Sequence, residues 1–197
     1  MSDARDAILQ AAARCIARKG ERGLRVLDVA KEAGVSSGLL YYHFDDRDGL
    51  LAATLEHIND QALGHRSRGS ESADPTARLL TLLVEEIGDD ADLIDSAVAW
   101  NEIRASAVFD PTLREHLIRT TTAWQAEVAT AVRAAQSAGG IPEHRDADDL
   151  ALALTALVEG IAARWLSGHL DTDRARTALR ESAARLIGCD LEERTLR

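Results

Sequence analysis

An all-α fold is what this sequence predicts, and three observations carry the prediction. Apolar residues recur at intervals of three and four along most of the chain. No strand is needed to place any of them. The composition is Ala-rich and helical in character, with 46% hydrophobic residues, 4% aromatic residues and three prolines in 197 residues. That length allows one large or two small domains with a sizeable core.

The first helix is expected over Arg5–Lys19, where Ile8, Ala11, Ala12, Cys15 and Ile16 share one face and Gly20 provides the stop. A second, short helix follows from Val26 to Ala33, with Val26, Val29, Ala30 and Ala33 as a small apolar face that another helix can cross closely. Gly34 ends it, because glycine takes the left-handed conformation without steric cost. Ser36 is then placed to cap a third helix over Ser37–Phe44, which buries Leu40 and Phe44 while Val35 fills the turn. Two short helices joined by a tight turn make a helix-turn-helix.

The outward positions of the third helix point to DNA. Ser37, Gly38, Leu39 and Tyr41 lie on its N-terminal part, which a major groove would bring to base edges. Tyr42, His43 and Arg47 offer a phenol, an imidazole and a guanidinium to phosphates. The competing explanation is a helix pair that merely packs, with both tyrosines in a core. Neighbouring residues sit about 100° apart on a helix, so at least one tyrosine must face outward.

Beyond this head, Asp45 or Asp46 caps a long fourth helix running to about Ala62, with Leu50, Leu51, Leu55 and Ile58 on one side. The segment Gly64–Asp74 is polar and Gly/Ser-rich and reads as a loop, and its His65, Arg66 and Arg68 read as solvated rather than as phosphate contacts. Pro75 opens a fifth helix striped by Leu79, Leu80, Leu83 and Ile87, which stops around Gly88–Asp90. A sixth is expected over Leu93–Phe109, broken by Asp110-Pro111, and a seventh over Thr112–Ala138. The eighth, Ala147–Ser167, is the most apolar, and the ninth, Thr172–Ile187, carries a narrow stripe of Ala175, Leu179, Ala183 and Leu186. The chain thus divides into residues 1–47, a three-helix head, and residues 48–197, a larger helical body, with about nine helices in all.

Charge is distributed as unevenly as structure. The formal net charge is -10, yet residues 1–50 hold eight Lys or Arg and eight Asp or Glu, so the body carries the whole deficit. A neutral head can still gather its cations on one face for phosphates, while the acidic body must point away from them. Cys15 and Cys189 show no metal-ligand spacing, and no secretory signal is apparent, which suggests free thiols in a reduced cytoplasm. Glu159 and Arg164 interrupt the eighth helix, so its apolar run falls short of the roughly 20 residues a bilayer requires. No metal site, no cofactor loop and no catalytic triad is nominated by spacing, so an enzyme is not expected.

A small-molecule site is better supported. Trp100, Trp124 and Trp165 fall on apolar faces of separate body helices and could line one cavity, although for any one of them core packing is the favoured reading. Asn101 beside Trp100 and Glu159 in its apolar surroundings complete the candidate set. Aromatic faces with a carboxylate suit a cationic ligand.

The stretch from Val29 to Phe44, VAKEAGVSSGLLYYHF, followed by DDRDGL, resembles the N-terminal domain of the TetR family of bacterial transcriptional repressors. That resemblance implies base contacts from Ser37, Gly38, Leu39 and Tyr41, with phosphate contacts from Tyr42, His43 and Arg47. Ser36 borders the same surface. Val26 stands where many relatives carry a Thr that caps the helix and touches phosphate, and Arg25 is the substitute for that contact. The second half is similar to the branch that includes regulators of choline-to-betaine metabolism, through Asp110 to Arg114, Leu157 to Ile161 and the tryptophans of the sixth and seventh helices. The resemblance implies a double-stranded operator, a small-molecule inducer and a homodimer built on the last two long helices, with an inverted repeat as target. Two rivals remain: an activator or architectural protein without ligand control, and a helical small-molecule-binding protein without DNA affinity.

Overall fold

The computed structural model describes residues 2–69 and 72–188, and among these it contains nine α-helices, one 3-10 turn and no strand. The helices are α1 (Ser2–Lys19), α2 (Val26–Glu32), α3 (Ser37–His43), α4 (Arg47–Gly69), α5 (Pro75–Val84), α6 (Ala91–Ser106), α7 (Pro111–Ser137), α8 (Ala147–Leu166) and α9 (Thr172–Ile187). The 3-10 turn, Glu21–Gly23, lies between α1 and α2.

Most starts are set by a side chain that accepts the otherwise unpaired N–H groups of the first turn. Ser36 Oγ accepts from the Leu39 amide, Asp74 from Thr76, Asp90 from Asp92 and Leu93, Asp146 from Asp148 and Asp149, and Asp171 from Arg174. Asp110 does the same for α7, accepting from Thr112 and Leu113 at 2.9 and 3.2 Å. Arg114, one turn into α7, folds back onto the carbonyls of Ala107 and Val108 at 3.1 and 2.7 Å. The sequence Asp110–Arg114 therefore makes the α6–α7 corner, one residue capping the new helix and another binding the end of the old one.

Several helix boundaries differ from the sequence expectation: α1 starts at Ser2 rather than Arg5, and α6 ends at Ser106 rather than Phe109. α4 continues to Gly69 instead of ending near Ala62, and α5 starts at Pro75. No proline interrupts that polar segment, and its Gln, Arg and Leu residues are adequate helix formers. The side chains of His65, Arg66 and Arg68 lie outside the described residues, as does Cys189. α5 ends at Val84, four residues early, and α6 begins at Ala91, where the Asp90 cap dictates.

By contact the chain falls into two units. The first comprises Met1–Ala62 with Asp90–Thr121, the second Leu63–Asp89 with Thr122–Arg197. In the first, Ile8, Leu9, Ala12 and Ile16 of α1 pack with Val29 and Ala30 of α2, Leu40 and Phe44, Leu50, Leu51 and Leu55 of α4, and Ala99, Ile103 and Leu113. The head is thus built around a core that α6 and the start of α7 help to fill. In the second unit α5, α8 and α9 pack together, burying Leu79, Leu83, Leu154, Val158, Leu179 and Ile187. Among the described residues no helix is long and apolar enough to cross a membrane.

Candidate nucleic-acid interface

α2 ends in a Schellman motif: Val35 N–H donates to the Ala30 carbonyl at 3.0 Å and Gly34 N–H to the Lys31 carbonyl at 3.2 Å. Gly34 holds φ 68°, a conformation that a side chain disfavours. Two residues later Ser36 caps α3 at 3.1 Å from the Leu39 amide. The turn is fixed at both ends, so the direction of the seven-residue α3 is set by Gly34 and Ser36 together.

α3 has one buried side and one bare side. Leu40 and the following Phe44 are buried in the head core, while Ser36, Ser37 and Gly38 are exposed and Leu39 is half-buried. Tyr41 is 51% exposed and Tyr42 72%, so neither tyrosine is core. His43 is half-buried with its ring edge-to-face against Tyr42, at 5.3 Å between centroids, and tilted against Phe44 at 6.1 Å. Arg5 of α1 lies over the Phe44 ring at 5.6 Å and so ties the start of α1 to the end of α3.

The cations of the head are unequally available. Arg14 and Arg18 both pair with Glu32, at 3.0 and 2.6 Å, and Lys19 pairs with Asp28 at 2.6 Å. Beside these cations the Glu32 and Asp28 carboxyls are held below the usual carboxylate range, chiefly by hydrogen bonds from Arg18 and Lys19 respectively. Arg47 is ion-paired with Glu21. Arg22, Arg25 and Lys31 are exposed and make no ion pair among the described residues. Burial raises the Cys15 thiol pKa, against a hydrogen bond from Arg18, so this sulfur is a packed side chain rather than a ready thiolate.

The candidate ligand residues are divided between the units. Trp100 belongs to the first and packs, half-buried, against the head core. Asn101 beside it accepts from Arg104 at 3.0 Å and donates to the Ala97 carbonyl at 3.2 Å, so both ends of its amide are engaged within α6. Trp124, Glu159 and Trp165 belong to the second unit, where both tryptophans are buried and Glu159 is half-buried. The Trp165 indole N–H donates to Thr172 Oγ1 at 3.2 Å, and that hydroxyl donates to Asp89. These bonds close the α8–α9 corner, a role that the helical pattern did not reveal. An open groove of about 430 Å³ on the second unit is lined by Val84, Asp173, Arg176, Thr177, Arg180 and Glu181 and by none of the candidate ligand residues. Among the described residues no group of His, Cys, Asp or Glu could hold a metal ion.

A capped, solvent-facing recognition helix on a tight turn, in a chain whose described residues form helices and no strand, defines a helix-turn-helix DNA-binding regulator. Residues 8–54 match the model of the bacterial regulatory proteins of the tetR family, and residues 75–188 match that of the BetI-type transcriptional repressor C-terminal domain. The chain belongs to the TetR family of transcriptional regulators, with a BetI-type C-terminal part. It is 29% identical over 165 residues to the HTH-type transcriptional regulator BetI of Burkholderia thailandensis, covering 83% of this chain and 80% of the relative. A TetR-family transcriptional regulator from Rhodococcus sp. superposes with a TM-score of 0.90 at 48% identity, over 95% of this chain and all of that one. A transcriptional regulator from Saccharomonospora viridis, solved in complex with choline, gives 0.76 at 29% identity, over 92% and 95% of the two chains.

Proposed function

We propose that this chain is a ligand-responsive repressor that binds an inverted-repeat operator as a homodimer and releases it when an inducer binds. The observation that carries the reading is α3 itself, a capped helix with Ser37, Gly38, Tyr41 and Tyr42 turned to solvent over a buried Leu40 and Phe44. Ser37, Gly38, Leu39 and Tyr41 read bases. Arg25, Tyr42, His43 and Arg47 hold phosphates and so set the register, and Ser36 borders the same surface.

The dimer is assigned to α8 and α9. α8 buries Leu150, Leu154, Val158 and Ile161 within its own unit but leaves Leu152 56% exposed and Ala156 exposed beside it. A second copy offers the matching apolar surface, and its two-fold axis places two recognition helices about one turn of DNA apart. For the inducer we favour a small cation. Buried Trp124 and half-buried Glu159 supply the chemistry within the second unit, and the choline-bound relative supports it. An inducer acts by stabilising a conformer whose heads no longer match both half-sites.

The test is a fluorescence-anisotropy titration into labelled DNA from upstream of the gene itself, against a scrambled duplex at the same salt, with choline added to the preformed complex. Tight binding to the first duplex alone, reversed by choline, is the expected result. Equal weak binding to both duplexes would favour a helical small-molecule-binding protein, and tight binding indifferent to every cation tried would favour a regulator without inducer control.

A further inference from the structure

Glu21 stands out as a carboxylate only 5% exposed in a chain whose other acids lie mostly at the surface. A buried carboxylate is stable only if its oxygens are bonded, and here every polar atom of the residue has a partner. Oε1 is ion-paired with Arg47 Nη2, and the backbone carbonyl accepts from the same nitrogen at 2.7 Å. Oε2 accepts from Ser106 Oγ, in the last turn of α6, at 3.0 Å. The amide donates to Glu102 Oε2 at 3.3 Å. Gly20 makes this closeness possible: its φ is 71°, and a Cβ there would sit 3.0 Å from the Glu102 carboxylate.

Arg47 is the first residue of α4, four positions after the end of α3. A guanidinium is planar and carries five N–H donors in a fixed fork, so anchoring one terminal nitrogen at two oxygens of Glu21 fixes its plane. About a third of the side chain remains exposed. Its other neighbour, the exposed Asp48, is 3.6 Å from Nη1, a surface pair weak enough to yield to a phosphate.

We infer that Glu21 is a positioning residue for DNA binding: it holds Arg47 by its inner edge and thereby aims the rest of the guanidinium at the phosphate backbone. The inference rests on the reading of Arg47 as a phosphate contact and adds a buried residue to the DNA-binding apparatus. It also runs against simple electrostatics. Removing a negative charge near the interface should by itself tighten binding to a polyanion, whereas loss of a positioning residue should weaken it.

The experiment measures the salt dependence of binding to the upstream and scrambled duplexes for the full chain and for Glu21→Gln, Arg47→Ala, the double variant and Arg47→Lys, with folding checked by circular dichroism. Arg47→Ala is expected to weaken binding to both duplexes and to flatten the slope of log K against log salt by about 1 per head. Glu21→Gln is expected to weaken and flatten in the same direction, and to add nothing in the Arg47→Ala background. Arg47→Lys keeps the charge but cannot both bridge Glu21 and reach outward, so it too should flatten the slope. An unchanged slope for Arg47→Ala would remove the phosphate contact and the inference with it. If Arg47→Ala flattens the slope, three results overturn the inference alone: a wild-type slope for Glu21→Gln, tighter binding by that variant, or an equal further loss in the double variant. Should Glu21→Gln fail to fold, a full slope for Arg47→Lys would overturn the inference.

Discussion

Ser36→Ala isolates what holds the recognition helix in place. α3 is only seven residues long, and an isolated helix of that length does not persist in water, so its first turn depends on the cap and on Leu40 beneath. The cap is one hydrogen bond of 3.1 Å to the Leu39 amide. Replacing an N-cap serine by alanine costs about 1 kcal/mol. In a chain of 197 residues that lowers the melting temperature by roughly 2–4 °C. If the first turn frays in the free protein and must reform on DNA, the same energy reduces affinity by up to about fivefold per head, hence by up to about 25-fold for two heads. Ser36→Asn supplies a neutral cap of equal rank and should restore both quantities. Circular-dichroism melting and anisotropy at fixed salt read the two effects side by side. An alanine variant with unchanged melting temperature and affinity would refute the capping argument. An asparagine variant that melts normally but binds as poorly as alanine would show that the hydroxyl meets DNA directly.

Tyr41→Ala should relax discrimination between cognate and scrambled duplex, since the ring is half-exposed and makes no hydrogen bond among the described residues; equal loss on both duplexes would sink its role as a base reader. If two heads bind together, the salt slope should be about -4, the value for some four phosphates met by Arg25 and Arg47 of the two heads, and a slope shallower than about -2 would show that these cations stay off the backbone. His57 of α4 is buried, and burial lowers its pKa below the ordinary 6.5 against the opposing pull of Asp6, with Arg5 and Asp60 also acting on it. The unfolded chain then binds the proton more readily, so stability should fall as pH drops through about 6.5 and level off only below the folded-state value. Melting at pH 7.5 and 5.5 should separate wild type from His57→Gln, and identical losses in the two proteins would remove His57 from the account.

The fold was legible because its determinants are local. Gly34 and Ser36 announce the turn by residue type, and both act in the structure as their chemistry predicts. The Asp-Pro at 110–111 marks the start of α7 to within one residue for the same reason, and in the structure Asp90, Asp146 and Asp171 cap α6, α8 and α9 in the same way. α4 escaped because Ser and Gly composition suggests a loop, whereas a helix already nucleated can continue through such residues at a few tenths of a kcal/mol each, up to about 1 for glycine. Trp165 shows the other limit. Helical spacing placed it on an apolar face, but only the fold brings Thr172 under its indole N–H, and a wheel cannot distinguish a ring that faces a ligand from one that closes a corner.

Glu21 was illegible for a deeper reason. By type, a glutamate in a short Glu-Arg-Gly turn reads as surface, and its partners Arg47, Ser106 and Glu102 lie 26, 85 and 81 residues away. The same blindness affects the charge count. Equal numbers of acids and bases in residues 1–50 describe a neutral head, but the fold pairs Arg14, Arg18, Lys19 and Arg47 with acids of that head and leaves Arg22, Arg25 and Lys31 unpaired among the described residues. What a phosphate meets is the potential of the unpaired cations, which depends on which acids the fold has already matched. A head neutral by composition can therefore be cationic where it counts, and in Arg47 one of its paired cations is held at the edge of that surface by an acid that DNA cannot reach.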